Sequence, residues 1–351
     1  MNFKIKILSP VHIRGGDTIS PYADFIYNNN YILYIDNEKL WSDISEDEKI
    51  LDEYIDIIKN RDINSKEKYV MYDFMKKNNI DIDKYILEKV KCTDDIGAME
   101  IGQLIKTSGR PYIPGSSIKG AIRTAILYNY LKSNGFNIDK ILNMSSKMNR
   151  RNIYVGQDVM RKSPRNIQSD IMKFLYISDT KYTNMKNISV NLEYSIDYIN
   201  VKDSTRLNFK MPTANEAINE GVILKFDMKC IKSTQFFKDE IDIIKSIQNF
   251  YKDIIRYHIN TMMDCSEEIF SNIISKYTEY LNRIDDDKCI LRLGSGKNFY
   301  HNTICGLFDT KYVNEKIAEV NYSMFPRTDW FILDSEKSYI KESLGWVEII
   351  L

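Results

Sequence analysis

Stretches with a two-residue hydrophobic period and stretches with a helical period interleave along this chain, without regular strand–helix–strand alternation. That pattern favours an α+β fold over a doubly wound parallel sheet. Phe3, Ile5 and Ile7 alternate with polar residues, as in a half-buried strand, and "SPVHIRGGD" follows as a loop. "YADFIY" and "YILYID" predict a hairpin turning at Asn28, Asn29 and Asn30. Ile44, Leu51, Tyr54, Ile55 and Ile58 fall at helical spacing, and residues 65–90 read as interrupted helix. In the second half, "FLYIS", "ISVNLEYSI" and "GVILKFDMKCI" predict strands, and 241–258 and 269–281 predict amphipathic helices. The chain closes with strand-like "CILRL", the loop "GSGKN" and strand-like "LGWVEII".

At 351 residues the chain has room for two domains, and no short-period repeat is present. Its 49 basic and 49 acidic residues leave no net charge. This argues against a free-standing, strongly basic nucleic-acid binder and leaves local patches open. Lys4 and Lys6 interrupt the N-terminus, so it does not read as a signal peptide. No apolar run approaches the ~20 residues of a membrane span. Cys92, Cys230, Cys265, Cys289 and Cys305 form no C-x-x-C pair, which predicts reduced thiols and a cytoplasmic protein. His12, His258 and His301 are too dispersed to predict a metal site.

The segment 111–131, "PYIPGSSIKGAIRTAILYNYL", carries the clearest local signal. A Pro-Gly turn runs into Ser116 and Ser117, both good N-cap residues, and Ile118, Ile122, Ala125 and Ile126 make an apolar helix face. A helix N-terminus presents free amides and a positive dipole end, Gly115 permits close backbone approach, and Lys119 and Arg123 lie one turn apart. This suits a phosphate or a nucleic-acid backbone. An ordinary capped helix with a solvated basic face fits the same spacing. In "RLGSGKN", Gly294 and Gly296 permit a tight bend, with Arg292 and Lys297 as cationic neighbours. A simple turn after a strand is the alternative. Neither segment matches the P-loop pattern.

His12, Arg14 and Asp17 cluster in "HIRGGD", where a base and an acid could act, but no partner carboxylate cluster lies nearby. Asp285, Asp286 and Asp287 read as a solvated turn. Arg150, Arg151, Arg161, Lys162 and Arg165, with Tyr154, punctuate a polar connection over 133–170 that could follow a phosphate backbone or simply be a charged loop.

Taken together, "SPVHIRGGDTISPYADFIY", "YIPGSSIKGAIRTAIL", "RLGSGKNFYHNT" and "FPRTDWFILDSEKSYIKESLGWVEI" resemble the RAMP superfamily of CRISPR–Cas proteins. The central segment is similar to its pattern IPGSS-(L/I)-KGA-(L/I)-RTA. Motif order, length and tail are most similar to the fifth-subunit branch of type III-A (Csm) effector complexes.

The resemblance implies two ferredoxin-like (RRM-like) domains. One spans 1–165 with a helical insertion, and the other spans 166–351 with the glycine-rich loop. It implies no cofactor, no metal and no catalytic residue. It further implies a subunit that binds crRNA near its 3′ end and is needed for 3′-end maturation and antiviral defence. Its neighbours would be the last backbone subunit and a small helical subunit, with host nucleases doing the trimming. Carried onto this chain, Gly115, Ser116, Ser117, Lys119 and Arg123 would face the RNA from a helix start. Gly294, Gly296 and Lys297 would form a second backbone-binding bend, and Gly15 and Gly16 would shape a loop against the same groove. Asn298 and His301 depart from the family's longer, more glycine-rich loop. The alternative within the superfamily is a metal-independent endoribonuclease that processes precursor crRNA, with His12, Asp17 or Asp24 at its centre.

Overall fold

The computed structural model describes residues 2–59, 70–92, 94–135, 156–163, 165–197, 208–265, 268–285, 288–308 and 328–350. Arg150, Arg151, Tyr154, Asp286 and Asp287 lie outside the described residues.

The alternation at the N-terminus makes strand β1 (Asn2–Ile7), with Phe3, Ile5 and Ile7 fully buried. It is followed by β2 (Arg14–Ile19), β3 (Phe25–Asn28) and β4 (Tyr31–Ile35). Three helices then form: α1 (Asn37–Ile44), α2 (Glu48–Lys59) and α3 (Val70–Lys77). They pack on β3 and β4 around a satellite core that includes Leu40, Tyr54, Phe74 and Met75. Next come β5 (Ile86–Cys92), β6 (Ile101–Leu104) and a small hairpin, β7 (Lys106–Thr107) with β8 (Arg110–Pro111). Helix α4 (Gly115–Asn134) follows, then the short α5 (Gln157–Met160) and β9 (Leu175–Ile177). The remaining strands before the long helices are β10 (Ile188–Asp197), β11 (Asn208–Phe209), β12 (Thr213–Ile218) and β13 (Ile223–Cys230). Helices α6 (Glu240–Asp264) and α7 (Ser271–Arg283) precede β14 (Lys288–Arg292) and the short α8 (Phe299–Asn302). The chain closes with β15 (Thr328–Leu333), β16 (Ile340–Ser343) and β17 (Trp346–Ile350).

Five strands form one antiparallel sheet in the order β14-β17-β1-β13-β9. Helix α4 lies in sequence between β1 and β9, and α6 between β13 and β17. Without the edge strand β14, this is the split β-α-β arrangement of a ferredoxin-like unit. A second, larger sheet runs β2-β6-β12-β10-β5-β4-β3, with parallel pairs at β12–β6 and β10–β5, and does not repeat that order. The fold is therefore α+β, as the mixed periodicity predicts. Strand β1 pairs with β13 and β17, while β5 and β6 pair with β10 and β12. A boundary near residue 165 therefore does not separate the sheets.

Two local expectations are corrected. Residues 86–90, the end of the expected helical stretch, form strand instead, because β5 is held in register between β4 and β10, with Val90 and Cys92 facing inward. The "RGGD" part of the expected loop is instead the start of β2, paired with β6 through an irregular register between Arg14 and Thr18. Gly16, at φ 109°, takes up that bulge. Buried Glu216 ties the second sheet together. Its carboxylate accepts from Tyr34 Oη (2.5 Å), Lys106 Nζ (2.7 Å) and the Leu104 amide (2.8 Å).

Candidate nucleic-acid interface

Helix α4 begins at Gly115, a position where nothing larger than glycine fits. A Cβ there would lie 2.6 Å from the carbonyl oxygens of Ile177 and Ser178. Pro114 occupies the N-cap and supplies no side-chain bond, so Ser116 and Ser117 sit inside the first turn and not at the cap. The Gly115 amide donates to Asp179 Oδ1 at 2.7 Å, so the positive end of the helix already faces a carboxylate from its own chain. Ser116 is exposed and Ser117 partly so.

Lys119 and Arg123 do share one side of α4, as their spacing predicts, but that side is occupied. Lys119 Nζ donates to the Leu175 carbonyl at 2.6 Å. Arg123 pairs with Asp170 at 3.5 Å and packs on Met160, while Arg161 binds the same carboxylate at 2.9 Å. Burial lowers the pKa of both Lys119 and Arg123. The two cations fasten the 160–175 segment to the helix. Beyond Arg161, Lys162 lines a cleft of about 700 Å³ with Lys173, Lys232 and Phe174.

The glycine-rich loop is a 3₁₀ turn over Gly294–Gly296, at the end of β14. Gly294 adopts φ 69°, and a Cβ on it would lie 2.0 Å from the His12 carbonyl oxygen. Ser295 donates its amide to that same oxygen at 3.0 Å. A Cβ on Gly296 would meet the Leu344 carbonyl oxygen at 2.3 Å, and one on Gly15 would meet that of Leu104 at 2.9 Å. The loop thus rests on the segment leading into β2, which brings Gly294, Gly296 and Lys297 to the neighbourhood of Gly15 and Gly16. Lys297 is partly buried, burial alone lowers its pKa, and it makes no ion pair with any described residue.

Arg292 does not join this loop as a phosphate ligand. It is fully buried, donates from both terminal nitrogens to Asp329 (3.0 and 3.1 Å), and donates Nε to the Leu344 carbonyl (2.7 Å). Asn298 and His301, the residues departing from the family loop, also have structural work. Asn298 Oδ1 accepts from the Tyr300 amide (3.1 Å) and bonds His301 Nδ1 (2.7 Å), and the His258 and His301 rings stack at 5.1 Å. Burial pushes the His258 pKa down to about 4 and that of His301 well below the usual imidazole range.

The helix start and the glycine loop do not converge on one groove. Gly115 sits beside Ile177 and Ser178, at the β9 edge and near the start of β1, whereas Gly294 follows β14 at the other edge, beyond the end of β1. Four strand spacings of roughly 4.8 Å and about eight residue rises of roughly 3.4 Å put these corners about 30 Å apart.

His12 is buried, with Nδ1 on the Glu216 carbonyl at 2.7 Å, and burial lowers its pKa. Asp24 accepts from the Ser20 amide and from Asn37 Nδ2, closing a turn, while Asp17 lies exposed on the bulged strand. Among the described residues no cluster of three His, Cys, Asp or Glu could hold a metal ion, and no helix is long and apolar enough to cross a membrane.

The model of the RAMP superfamily matches residues 4–299. The chain belongs to the RAMP superfamily. A Methanocaldococcus jannaschii protein named CRISPR system Cms protein Csm5 is 27% identical over 333 residues, covering 87% of this chain and 72% of its own. A Streptococcus thermophilus protein of the same name is 24% identical over 291 residues, covering 80% and 76%. A chain from the cryo-EM structure of a Csm–crRNA–target RNA ternary complex of a type III-A CRISPR–Cas system has the same fold. It has a TM-score of 0.70 and 22% identity, and the match covers 99% of this chain and 100% of that one.

Sequence reasoning missed one cationic surface, carried by Lys4 on β1 and Lys225 on β13. The signal was present: where Phe3, Ile5, Leu224, Phe226 and Met228 point inward, the residues between them must face the other way.

Proposed function

We propose that this chain is a non-catalytic, crRNA-binding subunit of a type III-A (Csm) effector complex. It caps the crRNA 3′ end and is needed for 3′-end maturation and antiviral defence. The observation carrying this reading is Lys297, a partly buried cation on a backbone-tight glycine turn, with no counter-charge among the described residues. A desolvated cation without a partner is costly, and a phosphate oxygen at that position offsets the cost. The names of the relatives and the RNA-bound assembly holding the structural neighbour support the same reading. Its partners are crRNA, the last backbone subunit and the small helical subunit, with separate host nucleases trimming the RNA. The site consists of Gly294, Gly296 and Lys297 with Gly15 and Gly16, and of the first turn of α4 as a second, separate contact. Of the two expected ferredoxin-like units, the five-stranded sheet supplies the one whose strand order supports it.

No observation favours the endoribonuclease reading, because His12 is sealed in the core and Asp24 closes a turn. The test is to express the complex with a CRISPR array, with and without this chain, and to sequence the bound RNA. Trimmed 3′ ends are expected only when the chain is present, and identical 3′ ends in both preparations refute the reading.

A further inference from the structure

The open face of the five-stranded sheet carries a like-charge pair. In the β1–β13 ladder Lys4 stands directly opposite Lys225, and both are exposed. On the next strand Tyr176 stands opposite Lys229, and it is 52% exposed. Lys181 joins the group from the segment leaving β9, its amide donating to the Lys225 carbonyl at 2.8 Å. A cleft of about 610 Å³ opens between 2–4, 178–182 and 225–227.

Like charges directly opposite one another on a sheet are destabilising. Asp179 and Asp227 share the cleft, yet Lys4, Lys181 and Lys225 make no ion pair with any described residue. An anion lying between the lysines removes the repulsion. The cleft also has an aromatic wall. Tyr182 is 45% exposed, with the Arg110 guanidinium 4.4 Å from its ring centre and Tyr112 set edge-on at 5.6 Å. Cations beside an exposed ring, on the open face of a ferredoxin-like sheet, match what a single-stranded RNA requires: neutralised phosphates and a stacking platform.

We infer that this sheet face binds a segment of single-stranded RNA, with Lys4 and Lys225 sharing a phosphate and Tyr182 stacking a base. The inference rests on reading the chain as an RNA-binding subunit, but it concerns a surface separate from the glycine loop.

The test uses the full chain and a fluorescein-labelled oligouridine RNA of about 12 nucleotides, a length within single-strand site sizes. Binding is measured between roughly 50 and 200 mM salt. Lys4→Gln combined with Lys225→Gln is expected to weaken binding about tenfold or more at low salt and to lower the salt slope by about 0.7 for each phosphate no longer neutralised. The thermal midpoint is expected to stay level or rise, because a repulsion has been removed. Wild-type affinity in the double variant overturns the inference, and so does a midpoint that falls together with affinity. A parallel Lys297→Gln variant separates the two claims. If it alone loses RNA, the glycine-loop reading stands and the sheet face is wrong. If the wild-type chain ignores the RNA, both fail. Unchanged RNA binding with loss of co-purifying subunits makes the face a protein interface and overturns the inference.

Discussion

The α-carbon of Gly294 faces the carbonyl oxygen of His12 so closely that a Cβ would lie 2.0 Å from it. The glycine loop and the entry to β2 are therefore one packed unit, and Gly294 is required there twice, for its positive φ and for the absence of a side chain. Gly294→Ala is expected to destabilise the chain by about 2 kcal/mol or more, since strain and overlap act together. Gly16→Ala, strained at φ 109° but with open space around it, should cost less. Comparing the two melting curves checks this, and equal losses would contradict the overlap argument.

The cations of α4 make a second prediction. Lys119 and Arg123 hold the 160–175 segment through the Leu175 carbonyl and Asp170. Replacing both with Glu sets an acid against Asp170 and strips the carbonyl of its donor. The variant should melt several degrees lower and be nicked faster by protease within 156–175. A variant as stable and as resistant as wild type would show that these cations hold nothing in place.

Asp179 occupies the position at the start of α4 that an external anion would take. Asp179→Asn removes the charge and keeps the shape. A loss of at most about 1 kcal/mol in stability is expected, with tighter RNA binding because a carboxylate no longer faces the phosphates. Weaker RNA binding in this variant would assign the carboxylate a positioning role instead.

The stacked histidines predict an acid limit. His258 and His301 are held neutral by burial, with the His258 pKa near 4 against an ordinary 6.5. Between those values the unfolded chain binds more protons than the folded one. The stabilisation is thus complete above about pH 6.5 and is lost as pH falls toward 4, by an amount on the order of 3 kcal/mol for His258. Urea titrations at pH 7.5, 6 and 5 should show a falling midpoint, and a flat series would show that the rings titrate normally.

Much of this architecture can be read from spacing. The apolar face of Ile118, Ile122, Ala125 and Ile126 predicts α4, and the alternation of Phe3, Ile5 and Ile7 predicts β1. What spacing misses is set by distant partners. Residues 86–90 look helical until β4 and β10 pair with β5 on either side, and the two glycines of β2 look like a loop until β6 supplies the ladder. Arg292 looks like a phosphate ligand because its counter-ion, Asp329, is remote in sequence. Lys119 and Arg123 have the predicted spacing, but no local signal shows that Leu175 and Asp170 already occupy them. The cations on the open sheet face follow from the same alternation that places Phe3 in the core, read on its other parity.

The pairing of β1 between β13 and β17 has a consequence for biosynthesis. Within this chain β1 acquires its second neighbour only when Trp346–Ile350 has been made. Until then one hydrogen-bonding edge of β1 stays open, a template for mispairing with other nascent chains. Translation that stalls or ends before Trp346 should therefore yield aggregated product and not a shortened, folded chain.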